Sequence, residues 1–155
     1  MPGSGTDKIT AIPNDILFDG IGNMLAEGRS VTFTAKGRSM FPFIKGGRDK
    51  VTLIRKGDVR KGDIVLARTP ESCILHRVIR ISGNDLTLMG DGNIRQKEHC
   101  RKEDILGTVS TIDRDGKTTD CSSFLEKLKY TIWILLIPVR RPVLWIIRKT
   151  GAAGA

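Results

Sequence analysis

Long apolar runs are missing from this 155-residue chain, and so is any grouping of metal-ligand residues. No stretch reaches the ~18 consecutive apolar residues of a clean membrane span. Met1–Lys8 is polar and Gly/Ser-rich, without the apolar centre of a signal peptide. Cysteine is scarce. Cys73, Cys100 and Cys121 are odd in number, far apart and outside any CxxC or His/Cys pattern. That argues against a disulfide framework and gives no reason to expect zinc; neither a metal nor an organic cofactor is expected. Only eight aromatic residues are present, which argues against a base-stacking surface, so no nucleic-acid partner is expected. The net charge of +9 nevertheless keeps a basic, nucleic-acid-binding β domain as one alternative reading.

What is present reads as short strands. Seventeen glycines and six prolines punctuate the chain with turns. Asn14 is placed to cap a short helix from Asp15 to about Ala26, with Ile16, Leu17, Ile21, Met24 and Leu25 on one face and Gly28 as its stop. Strands are expected at Val31–Ala35, Lys50–Ile54, Asp63–Ala67, Cys73–Ile81, Asp85–Met89 and Ile105–Ile112, all rich in β-branched residues and bounded by turn formers. Ser82–Asp85 reads as a hairpin turn. No strand alternates with a long helix, so a mainly β domain is expected, a folded antiparallel sheet or half-open barrel. The chain divides into a tail and helix (1–29), a β domain (30–114) and a C-terminal segment (122–155).

The C-terminal segment differs in character. Ser123 and Glu126 form an S-x-x-E capping signal, and a helix is expected from Phe124 to about Ile137, where Pro138 interrupts it. Two apolar pieces, Ile132–Val139 and Pro142–Ile147, are separated by Arg140 and Arg141. From Ser122 onward six basic residues face one acid, Glu126. Trp133 and Trp145 with flanking cations suit a membrane interface, so this segment is read as an in-plane or re-entrant anchor contacting lipid. Packing on the sheet or on a partner is the alternative. Ala152–Ala155 reads as a flexible tail of small residues.

Three positions could carry chemistry. Ser39 follows a glycine turn at a strand end, in Gly37–Pro42 (G-R-S-M-F-P), where its own amide and that of Met40 could meet a developing oxyanion. His76 shares a strand face with Ile74 and Val78 and has the right basicity for a general base. Asp91 sits in G-D-G-N (90–93), a natural turn that could also hold a carboxylate near that base. Singly, each fits a bland structural role.

Taken in order, G-R-S-M-F-P (37–42), K-G-D-I-V-L-A (61–67), I-L-H-R-V (74–78), G-D-G-N (90–93) and D-I-L-G-T-V (104–109) resemble the signal peptidase I and self-cleaving repressor superfamily. The resemblance covers about 30 to 112. It implies a largely β fold, Ser39 as nucleophile, and an acyl-enzyme. Histidine rather than lysine at position 76 is similar to the endoplasmic-reticulum and archaeal type of signal peptidase, and implies His76 as base with an acid behind it. Asp91 or Glu98 fills that third place, since the stretch where the second acid is usual reads Ile94–Glu98 here. Gly37 stands where the family often has a serine that helps the oxyanion hole, and Pro42 is expected to touch substrate. The usual N-terminal anchor and a repressor's DNA-binding domain are not expected. The reading is a serine endopeptidase acting on exported or membrane-bound peptide precursors at a bacterial inner membrane, on either face. A catalytically silent membrane scaffold of the same fold is the alternative.

Overall fold

A computed structural model describes residues 14–151. The polar N-terminal stretch Met1–Lys8 and the Ala152–Ala155 tail lie outside the described residues. Helix α1 (Asn14–Ala26) buries Ile21 and Leu25, while Ile16 and Leu17 of its expected apolar face stay exposed. Gly28 ends it as expected: at φ +80° it takes the left-handed conformation that costs glycine little, and the Gly28 and Arg29 amides donate to the Leu25 and Met24 carbonyls.

The described residues form eight strands, β1 (Val31–Thr34), β2 (Lys50–Ile54), β3 (Ile64–Arg68), β4 (Cys73–Ser82), β5 (Asp85–Met89), β6 (Glu98–Arg101), β7 (Ile105–Arg114) and β8 (Lys117–Asp120). They form one antiparallel, curled half-barrel sheet in the order β1-β2-β7-β3-β4-β5-β6, with β8 paired to β7. Six strands fall where the sequence places them, to within two residues at their ends. The short β6 and β8 were not expected, because Glu-His-Cys-Arg and Lys-Thr-Thr-Asp carry no apolar alternation. Asp115 (φ 54°) and Gly116 (φ 81°) make the tight turn that folds β8 onto β7. Gly83 and Asn84 make the expected β4–β5 turn.

The apolar run of β3 is explained by its central place. Ile64 and Leu66 enter one core with Leu25, Ile44, Val51, Leu53 and Val109; Val65 and Ala67 enter a second core with Val78, Leu86 and Leu88. A strand buried on both faces needs no polar alternation.

Asp49 closes the loop between β1 and β2. It is fully buried, accepts from the Lys45 amide at 2.7 Å, and takes Arg114 Nε and Nη2 at 2.9 and 2.5 Å. Burial alone would push its carboxyl up, but the Arg114 bonds, the Lys45 amide and Arg48 hold it below the usual carboxylate range. A depressed folded-state pKa contributes stability above the unfolded value of ~3.9 that disappears as pH falls through the folded value. The urea midpoint advantage of the native protein over Asp49→Asn is therefore expected to hold at pH 6 and to shrink below about pH 4. A pH-independent difference would assign Asp49 a purely steric role.

After β8 come α2 (Phe124–Leu135), a short 3-10 turn at Ile137–Val139, and α3 (Arg140–Gly151). Ser123 Oγ accepts from the Glu126 amide at 3.4 Å, one half of the expected capping box; the Glu126 carboxylate turns instead to Lys129. The expected helix stops at Leu135, two residues short, because Pro138 allows only a 3-10 turn ahead of it. Both helices pack back on loops of the β domain. Trp133 is buried edge-on to Phe43, Tyr130 lies on Gly62, and Leu144 is buried.

Candidate active site

Ser39 sits in the turn Arg38–Phe41, closed by a bond from the Phe41 amide to the Arg38 carbonyl at 3.1 Å. Gly37 ahead of it has φ +81°, and a Cβ at Gly46 would fall 1.9 Å from the Gly37 carbonyl oxygen. Two glycines thus let the loop double back on itself. The Ser39 and Met40 amides make no hydrogen bond among the described residues, the condition expected of donors that await an oxyanion.

The G-D-G-N turn backs this loop. The Gly92 amide donates to the Ser39 carbonyl at 2.8 Å. A Cβ on Gly90 would lie 2.4 Å from that same carbonyl oxygen, and one on Gly92 would lie 2.7 Å from the Arg38 carbonyl oxygen. Only glycine fits at either place.

Ser39 and His76 line one narrow cleft of about 180 Å³, with Ala35, Met40, Ile44 and Leu75 among its walls. Ser39 is half-buried and His76 buried. His76 Nδ1 lies 2.7 Å from Glu98 Oε2. An ionised carboxylate only accepts, so in the neutral imidazole Nδ1 is the donor and Nε2 keeps its lone pair. That tautomer can take a proton from a hydroxyl in the cleft.

Register brings this pair together. Val65 pairs with His76, Val78 with Leu88, and Leu88 with Glu98. His76, Val78, Leu88 and Glu98 consequently share a sheet face, with Glu98 at the edge strand. Arg77 points the other way, and so does Asp91, two residues beyond Met89, the partner of Arg77. Asp91 accepts from Arg77 Nε and Nη2 at 2.8 and 2.7 Å, while Arg77 Nη1 donates to the Gly62 carbonyl at 2.8 Å. Both side chains are buried. Asp91 is thus spent on Arg77, and the acid beside His76 is Glu98.

Pro42 does not line the Ser39–His76 cleft; it borders a separate one with Phe43, Arg114 and Glu126. Arg77 was not singled out in the sequence, although its place directly after His76 on a strand commits it to the opposite face. Cys73 lines the cleft, while burial pushes the Cys100 and Cys121 thiols up to about 11, so both are neutral at pH 7. Among the described residues no group of His, Cys, Asp and Glu could hold a metal ion.

A family model described as Peptidase S24-like matches residues 5–110. No curated protein matches the chain.

Proposed function

Because the chain belongs to the S24-like peptidase family, the fold that serves serine peptidases and self-cleaving proteins, we propose that it is a serine endopeptidase of the signal-peptidase type. The observation that carries this reading is His76 lining the same cleft as Ser39, with Glu98 bonded to its far ring nitrogen. His76 Nε2 takes the Ser39 Oγ proton as Oγ bonds to the scissile carbonyl carbon. The Ser39 and Met40 amides hold the resulting oxyanion. Collapse breaks the C–N bond and His76 returns the proton to the leaving amine; water, deprotonated by His76, then attacks the ester, and His76 passes that proton to Ser39 Oγ as the C–Oγ bond breaks. Glu98 keeps the imidazole in its working tautomer and stabilises its cation.

The substrates are exported or membrane-bound peptide precursors. No single helix among the described residues is long and apolar enough to cross a membrane; α2 and residues 137–151 together have the length and composition but bend by 61°. Among the described residues, eight of the twelve exposed large hydrophobic residues lie on this pair, Phe124, Leu125, Leu135 and Trp145 each at least 60% exposed. Lys127, Lys129, Arg141 and Lys149 border them. Such a face suits in-plane attachment to anionic lipid. Arg148 donates to the Gly92 carbonyl at 3.3 Å, which puts α3 one residue from the Ser39 loop and the cleft close to that surface. Binding to vesicles containing anionic lipid is expected to fall at least tenfold in Leu128→Glu/Trp145→Ser and to weaken with salt. Equal binding by native and variant protein would remove this face from the reading.

The decisive experiment compares the N-termini of peptides exported by cells carrying the native protein or Ser39→Ala. Defined N-termini should vanish and longer precursors accumulate. Matching profiles with a folded, abundant variant would overturn the peptidase reading and leave a membrane scaffold.

A further inference from the structure

Arg77 borders a second cavity, on the face of β4 opposite His76. It encloses about 370 Å³ between the sheet and α2, and the chemistry at Ser39 makes no use of it. Ligand sites commonly start at this size. Phe43, Ile64, Val109, Ile112 and Tyr130 give it apolar walls. Tyr130 is seated where a side chain at Gly62 would stand: a Cβ there would meet the ring at 2.1 Å. The Arg77 guanidinium is stacked between Phe43 and Tyr130, 4.9 and 5.3 Å from their centroids.

The polar lining is unbalanced. Three acids border the cavity, and each is already engaged. Asp63 takes Lys56 Nζ at 2.8 Å, Asp120 takes the Ser122 amide and hydroxyl at 2.8 and 2.7 Å, and Glu126 takes Lys129 at 2.5 Å. Lys61 and Lys127 at the rim have no carboxylate within ion-pair distance among the described residues. Cys121, neutral at pH 7, adds no opposing charge.

We infer that this cavity binds a small soluble amphipathic anion, an apolar body between the sheet and Tyr130 with its acidic group at Lys61 and Lys127. Apolar walls set the body, and the rim cations set the charge: Lys61 and Lys127 have no carboxylate at ion-pair distance among the described residues, although Lys127 acts on Asp120 over a longer range.

The test titrates the full chain with anilinonaphthalenesulfonate and follows side-chain methyl signals by NMR. The methyls of Ile64, Val109 and Ile112 should shift saturably. Lys61→Glu/Lys127→Glu, two changes at exposed positions, should weaken that binding about tenfold, as reversal of two rim charges implies. Phenylnaphthylamine, which lacks the sulfonate, should bind native and variant protein equally. Ser39→Ala should change none of this, so failure of the peptidase reading leaves the site standing. Shifts confined to Leu125, Leu128 and Ile146 on the outer helical face would overturn it. So would an unchanged affinity in the double variant.

Discussion

Glu98→Gln is expected to lower kcat/KM for a cleaved peptide by roughly a thousandfold to ten-thousandfold, mostly through kcat, with the fold intact. The effect follows from one hydrogen bond. Glu98 fixes the Nδ1–H tautomer of His76 across 2.7 Å. A glutamine side chain can present its NH₂ to Nδ1 instead, which moves the ring proton to Nε2 and leaves nothing to accept the Ser39 proton. Gln has nearly the shape of Glu and Glu98 sits on the edge strand β6, so circular dichroism and thermal unfolding ought to match the native protein. Activity within about threefold of native would show that Glu98 does not support the base.

Asp91→Ala is expected to act by another route, costing about 3–5 kcal/mol of stability. Arg77 would remain a buried cation, its side chain 5% exposed, stripped of two hydrogen bonds. For a chain of this size the loss corresponds to a drop in Tm of roughly 6–20 °C. Removing both charges, as in Arg77→Met/Asp91→Leu, should recover much of the loss, since the desolvation of two ions disappears with them. A double variant as unstable as Asp91→Ala would mean that the shape of the turn, rather than the ion pair, matters most. Together the two acids give a clean contrast: one change lowers turnover, the other lowers stability.

That contrast marks the point where sequence reading stops. Ser39 and His76 are legible because local signals place them: a glycine turn at a strand end and an alternating strand. The choice between Asp91 and Glu98 is not local. It depends on which residues of β4, β5 and β6 stand opposite one another, and a one-residue slip would exchange the faces. Bulges such as the one between Val78 and Arg80 shift the register without an obvious sequence mark. The β6 strand itself was invisible because an edge strand with polar residues lacks periodicity. Strands β1 to β5 and β7, α1 and the helical break at Pro138 were legible from β-branched runs, caps and proline. The docking of α2 was not, since Trp133 and Tyr130 sit in a segment whose apolar pattern suits lipid as well as protein.

The C-terminal helices also change where this molecule can be cut. The family match ends at residue 110, but cooperativity does not. Trp133 Nε1 donates to the Asp91 carbonyl at 2.9 Å, and Arg148 reaches the neighbouring Gly92 carbonyl. A version trimmed after β8 for the sake of solubility would strip the greasy surface and, with it, the lid over the turn that supports Ser39. Homology would draw the boundary in one place and mechanical integrity in another, and a well-behaved, inactive fragment is the outcome to anticipate from the shorter choice.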